Sequence, residues 1–160
     1  MPKNRPADSD SAPSDDPIAH AQAVADALCR TASECCRQHD RVARILERSE
    51  LDAELAAAQK FCELCDMTLQ EMMAAYETAL GALPAKADGG WAARGTSLWQ
   101  ASREYLRRHS SCDHHLTRKR QRHGSNELGE LAMEFELEAS AVLALRQATE
   151  AYRKERPSAA

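Results

Sequence analysis

The stretch that decides the fold is residues 16–48, DPIAHAQAVADALCRTASECCRQHDRVARILER. Asp16 and Pro17 are typical of a helix start, because aspartate caps the first amides and proline suits the first helical position. Small or apolar residues then follow one helix face, with His39 as the polar exception. They are Ile18, Ala21, Ala25, Leu28, Ala32, Cys35, Val42 and Leu46. This pattern predicts a long first helix with a narrow inner seam.

The rest of the composition is equally typical of helices. The chain has 160 residues, only 4% aromatics, and no more than 6 glycines and 6 prolines. Ala, Leu, Glu and Arg, which favour helices, dominate instead. This length fits one domain that can bury its apolar surface without a disulfide framework. We therefore predict an all-α protein.

A second helix is predicted to follow a capping box, in which Ser49 precedes Asp52 by three residues. Gly81 and Pro84 are expected to end it. Its seam consists of Leu55, Ala58, Cys62, Cys65, Leu69, Met72, Tyr76 and Ala79. Two long helices joined by a short turn are expected to pack antiparallel.

A third helix is predicted to begin between Trp91 and Thr96, and the later start would leave Gly95 outside it. Its seam is Leu98, Ser102, Tyr105, His109, Cys112 and Leu116. Gly124 suits a helix end and Ser125 or Asn126 a new start. The fourth seam is Leu128, Leu131, Phe135, Glu138, Val142, Leu145, Thr149 and Tyr152.

These elements predict an antiparallel up-down-up-down four-helix bundle over residues 16–156. Residues 1–15 are rich in Pro, Ser and Asp and lack apolar periodicity, so we expect a disordered N-terminal tail. Residues 157–160 are expected to form a flexible C-terminus.

Several functional classes are disfavoured. No apolar run is long enough for a membrane span or a secretory signal, so we expect a cytoplasmic protein whose 6 cysteines are thiols or ligands. A net charge of -4 argues against binding nucleic acid. No glycine-rich phosphate loop or nucleophile motif indicates an enzyme.

Two residue pairs indicate a buried metal site. The first pair is Cys35 and His39, and the second is Cys62 and Cys65. In each pair the spacing places the two side chains on one face of a helix. The pairs lie at similar distances from the turn near Ser49, so antiparallel packing would bring them together. Three thiolates and one imidazole suit zinc, while Cu(I) or an iron-sulfur cluster is less favoured.

The same depth in the bundle contains further candidates. These additional ligands, or partners that orient the ligands, are Cys36, His109, Cys112, Glu134 and Glu138. Glu138 is the least expected seam residue, because a buried carboxylate needs a cation, a proton or a hydrogen-bond donor.

Three functional interpretations follow. The first is a small soluble bundle with a Cys/His metal site for metal storage, sensing or structural stabilisation. The alternative is a non-catalytic adaptor or scaffold with ordinary core cysteines, binding a protein partner through its N-terminal tail or a bundle face, or forming a homodimer. The third is a thiol redox protein that uses Cys62 and Cys65.

Overall fold

The computed structural model describes residues 16–48, 52–84, 90–119 and 127–155, and within them it contains four helices. They are α1 (Pro17–Arg48), α2 (Asp52–Gly81), α3 (Gly90–Lys119) and α4 (Glu127–Lys154). Asp16 caps α1 as predicted, since its carboxylate accepts a 2.9 Å hydrogen bond from the Ile18 amide. The predicted disordered tail and flexible C-terminus lie outside the described residues, and the division into those segments stays a prediction.

The helices form the predicted antiparallel up-down-up-down bundle. Along α1 and α4, contacts run in opposite directions: Asp26 binds Tyr152 near one end, while Asp40 binds Arg146 nearer the other. The α2–α3 pair behaves in the same way, because Tyr76 reaches Ala92 and Asp66 reaches Tyr105. The two hairpins, α1 with α2 and α3 with α4, are each closely packed.

The core combines a small face on α1 with large side chains on the other helices. Ala21, Ala25 and Ala32 are fully buried, which allows a close approach to α1. The largest fully buried side chains include Tyr76, Tyr105, Leu28, Leu69, Leu98 and Leu145. Residues on all four helices therefore share one hydrophobic core.

Among the seam residues whose side chains the structure describes, two predicted positions are wrong; Leu116 and Leu128 lie outside that set. Leu46 is 58% exposed and its neighbour Ile45 is buried instead. One residue corresponds to a rotation of about 100° about the helix axis, so the end of α1 presents to the core a face one residue earlier than the seven-residue repeat predicts. Phe135 of α4 is also predicted to point inward, but its side chain is 43% exposed.

The start of α3 also differs from the later predicted boundary, because Gly95 lies inside the helix. The Tyr76 ring packs directly on it, and a Cβ at this position would lie 2.2 Å from the Tyr76 hydroxyl oxygen. That hydroxyl donates a 3.1 Å hydrogen bond to the Ala92 carbonyl. Glycine is needed here because α2 and α3 approach closely through Tyr76.

Over the residues that the structure describes, none of the four helices carries an apolar stretch long enough to cross a bilayer.

Candidate metal centre

Five polar side chains, contributed by all four helices, meet in the interior of the bundle. They are His39 of α1, Cys62 and Asp66 of α2, His109 of α3 and Glu138 of α4, and we call them the His109 cluster. His109 lies at its centre, with one ring nitrogen directed towards α1 and α4 and the other towards α2. The seam pattern of α3 explains its position, because Tyr105 and Cys112 on the same face are also buried.

Glu138 is held by two imidazoles. Its Oε1 lies 2.5 Å from His109 Nδ1 and 3.2 Å from His39 Nε2. Only 8% of the Glu138 side chain is exposed, so these contacts replace water around the carboxylate. An ionised carboxylate only accepts hydrogen bonds, so both imidazoles donate to it.

The opposite edge of His109 faces α2. Its Nε2 lies 3.4 Å from Asp66 Oδ2, and the other Asp66 oxygen accepts a 2.9 Å hydrogen bond from the Tyr105 hydroxyl. Cys62 also contacts this edge of the cluster and is almost fully buried. A single imidazole thus connects a carboxylate of α2 with a carboxylate of α4.

Ring packing fixes the orientation of His109. Tyr105, one helical turn earlier, stacks on it with centroids 5.7 Å apart and an interplanar angle of 16°. The His39 ring meets it edge-on at 6.1 Å. Since two neighbouring rings and partners at both nitrogens hold His109, the site is preorganised.

The charges of the cluster favour an ion pair. Burial opposes a charge on His109, but its hydrogen bonds with Cys62 and Glu138 and the nearby carboxylates raise its pKa to about 11. Burial likewise opposes ionisation of Glu138, but hydrogen bonds from His109, His39 and Cys112 lower its pKa to about 2. At neutral pH a protonated His109 therefore neutralises buried negative charge.

Two sets of possible ligand atoms share His109. One consists of His39, His109 and Glu138, and the other of Cys62, Asp66 and His109. Within each set the ligand atoms lie within 4.8 Å of one another. Ligands of a tetrahedral zinc ion lie roughly 3.3 Å apart, so either set could hold a metal ion only after its side chains adjust.

The sequence-predicted ligands divide between these sets. His39 belongs to one and Cys62 to the other, on opposite sides of His109, while Cys35 and Cys65 belong to neither. Burial, with a smaller effect of Asp66, raises the pKa of the Cys35 thiol, which favours its protonated form. The assignment of Cys35, His39, Cys62 and Cys65 as one ligand set stays a prediction.

The predicted additional residues have distinct positions. His109 and Glu138 are central to the cluster. The Cys112 thiol lies 3.3 Å from the Glu134 carbonyl oxygen and also contacts Glu138. Cys36 instead faces the groove between α1 and α4, where its thiol lies 3.9 Å from the Val142 carbonyl oxygen. None of the six cysteines forms a disulfide.

Sequence reasoning missed Asp66. Its signal was the four-residue spacing from Cys62, which places both side chains on one helix face. Asp66 lies outside the heptad seam, yet its side chain is only 13% exposed because Tyr105 and His109 cover it.

Comparison with known proteins adds no relative: no protein-family model, no curated protein and no solved structure matches this chain.

Proposed function

We propose that the protein binds one divalent transition-metal ion, with zinc as the favoured ion, in the His109 cluster. The observation that carries this proposal is the pair of three-ligand sets that share His109 and draw on all four helices. Imidazole, carboxylate and thiolate groups are all zinc ligands. A metal bound here would link the two hairpins, as expected for a structural, sensing or storage site.

The set of His39, His109 and Glu138 is the stronger candidate. Its nitrogen-to-oxygen distances of 2.5 Å and 3.2 Å already approach the spacing of ligands around one ion. Binding there requires the Nδ1 proton to leave His109 and the Nε2 proton of His39 to leave or move to Nδ1, because both nitrogens donate to the ionised Glu138. The other set requires protons to leave both His109 and the Cys62 thiol.

Metal analysis of protein purified without an affinity tag, followed by zinc titration against a competing chelator, tests this function. We expect one ion per chain. His39→Ala removes a ligand from one set only, and Cys62→Ser removes a ligand from the other. Cys29→Ser is the matched control, because Cys29 is a buried α1 thiol that contacts Thr149 instead.

The outcomes separate the two sets. If zinc affinity falls in His39→Ala and not in Cys62→Ser, the ion uses the set containing Glu138. The reverse result assigns the other set, and a loss in both variants indicates that the ion draws ligands from both sides of His109. Unchanged affinity in both variants, or no stoichiometric metal in the wild type, would exclude this metal site.

A thiol redox function is the second candidate, favoured by the placement of His109 between Cys62 and Glu138. This order of thiol, imidazole and carboxylate is the arrangement that activates a nucleophilic cysteine. The Cys62 thiolate would attack a substrate disulfide, and Cys65 would then displace the second substrate thiol, leaving a Cys62–Cys65 disulfide. Incubation with oxidised glutathione and mass analysis tests this step, which predicts a loss of two hydrogens that Cys65→Ser prevents.

In the adaptor alternative, the His109 cluster is a structural ion-pair network. Exposed apolar side chains on α2, namely Phe61, Leu64 and Met67, support a surface for a protein partner. In that case zinc has no effect on the stability of the protein.

The six free thiols support a reducing compartment such as the cytoplasm for any of these functions.

A further inference from the structure

A groove between α1 and α4 lies outside the His109 cluster. Its volume is about 450 Å³, which is within the range of small-molecule sites. Four guanidinium groups line it, two from each helix: Arg30, Arg37, Arg146 and Arg153. Asp40 and Glu150 are the acidic residues of the lining, so the groove has two more positive than negative groups.

Two of these arginines are already paired. Arg146 donates two hydrogen bonds of 2.8 Å to the two carboxylate oxygens of Asp40. Arg37 pairs with Glu34 on its own helix. The Asp40–Arg146 pair joins the two walls of the groove, so Arg30 and Arg153 remain as the groups that can bind an anion.

Arg30 and Arg153 have no carboxylate within 4.0 Å in the part of the chain that the structure describes. Arg153 donates a 2.6 Å hydrogen bond to the Ser33 hydroxyl, which aligns its guanidinium across the groove towards α1. A guanidinium presents several N–H donors in one plane, so an oxyanion can bind it alongside Ser33.

The groove also has uncharged parts. Cys36 is 5% exposed, and burial raises the pKa of its thiol, so it adds no negative charge at neutral pH. Ser33 and Thr149 provide hydroxyl groups. The lining thus combines cationic walls with neutral surface, the pattern expected for a small anion that carries an uncharged body.

We propose that this groove binds a small molecule bearing a carboxylate or phosphate group, which Arg30 and Arg153 contact. Both oxyanions match the planar donors of a guanidinium. The concave shape and limited volume favour a small molecule over a polymer. This site is separate from the proposed metal centre, because no groove residue belongs to the His109 cluster.

Calorimetric titration of the full chain with inorganic phosphate and, separately, with malonate tests the site at low ionic strength. We expect saturable binding of at least one anion at one site per chain. Binding of phosphate alone identifies a phosphate-bearing molecule as the ligand class, and binding of malonate alone identifies a carboxylate. No saturable binding of either anion would overturn the proposal.

Variants distinguish the groove from general charge. Arg30→Gln and Arg153→Gln are each expected to weaken binding about tenfold, the effect of losing one charge-assisted hydrogen bond. The control is Arg103→Gln, which removes the same charge from α3, where Arg103 lies over Trp99. Equal weakening in Arg103→Gln and Arg30→Gln would contradict the assignment.

A check of folding and a parallel titration complete the test. The Arg30 side chain makes no hydrogen bond or ion pair with the rest of the described chain, so Arg30→Gln is expected to remain folded even if Arg153→Gln loosens the α1–α4 contact. A short single-stranded oligonucleotide is titrated in parallel. Tighter binding of the oligonucleotide than of phosphate or malonate would reject the small-molecule assignment.

Discussion

At the scale of single residues, the feature to test is the charge of His109 at the centre of the bundle. Its ring lies between Glu138 on one side and Asp66 on the other. Replacing an imidazolium in such a position leaves a buried carboxylate without compensation, which is among the more costly changes in a protein core. The two predictions at this scale concern the charge on His109 and the carboxylate of Glu138.

The first prediction is a loss of stability at alkaline pH in the metal-free protein. The folded pKa of His109, about 11, is above the value near 6.5 of an unfolded chain. Its stabilisation is therefore fully present below pH 6.5 and is lost as the pH rises towards 11. Urea unfolding at pH 6.5 and pH 9 should show a decrease on the order of 3 kcal/mol.

Glu138 has the opposite dependence. Its folded pKa of about 2 is below the ordinary value of 4.5, so its stabilisation is present above pH 4.5 and is lost as the pH falls towards 2. The other charged or titratable groups around the pair are His39, Asp66, Cys62, Tyr105 and Cys112. A free energy of unfolding that stays constant from pH 6.5 to 9 would contradict the proposed charge on His109.

The second prediction concerns the removal of the buried carboxylate. Glu138→Ala leaves both imidazoles without their shared acceptor and should destabilise the fold by about 3 kcal/mol. Glu136→Ala makes the same change on an exposed position of α4 and should cost less than about 0.5 kcal/mol. Chemical denaturation at pH 7 compares them, and equal effects would show that the cluster contributes little to stability.

At the scale of helices, packing overrides local preference where α2 meets α3. Helix propensity alone would favour almost any other residue over glycine at position 95. Glycine is required there because the Tyr76 ring occupies the space that a side chain would need. Gly129 in α4 provides the contrast, since nothing lies within 4 Å of a Cβ built there.

The third prediction compares alanine at these two helical glycines. Gly95→Ala should destabilise the protein by about 1–3 kcal/mol, because the Tyr76 ring must move from its buried position. Gly129→Ala should stabilise it by about 0.5–1 kcal/mol through helix propensity alone. Thermal unfolding of both variants checks the signs, and a stabilising Gly95→Ala would refute the close contact.

At the scale of the whole molecule, the His109 cluster joins the two hairpins. Each hairpin supplies polar side chains to it: α1 and α2 contribute His39, Cys62 and Asp66, while α3 and α4 contribute His109 and Glu138. An ion that binds across this junction would bind the folded bundle and not the separated hairpins. Metal binding and folding are then coupled.

The fourth prediction follows from that coupling. Zinc at a free concentration of 100 times its dissociation constant should raise the free energy of unfolding by about 2.7 kcal/mol. The gain should disappear in a variant that has lost binding and persist in Cys29→Ser, whose thiol contacts Thr149 outside the cluster. Thermal unfolding with zinc and with a chelator measures it, and an unchanged transition would count against a coupled site.

The sequence by itself determined the helices and the depth of the polar layer. Apolar spacing and caps are local properties, so Asp16, Gly81 and the α1 seam could be interpreted without knowledge of their neighbours. The inward positions of His109 and Glu138 followed from the same periodicity. The basic side chains of the α1–α4 groove were visible in the sequence only as separate charges.

Only the tertiary structure decided which of these side chains meet. The rotation of each helix about its axis depends on packing, and a rotation of about 100° brings an adjacent residue into the core. At the end of α1, Ile45 is buried in place of Leu46. Rotation placed Asp66 beside His109 and put His39 and Cys62 into different sets of possible ligand atoms. Both sets include a histidine of α3, because contacts between helices fix what periodicity leaves open.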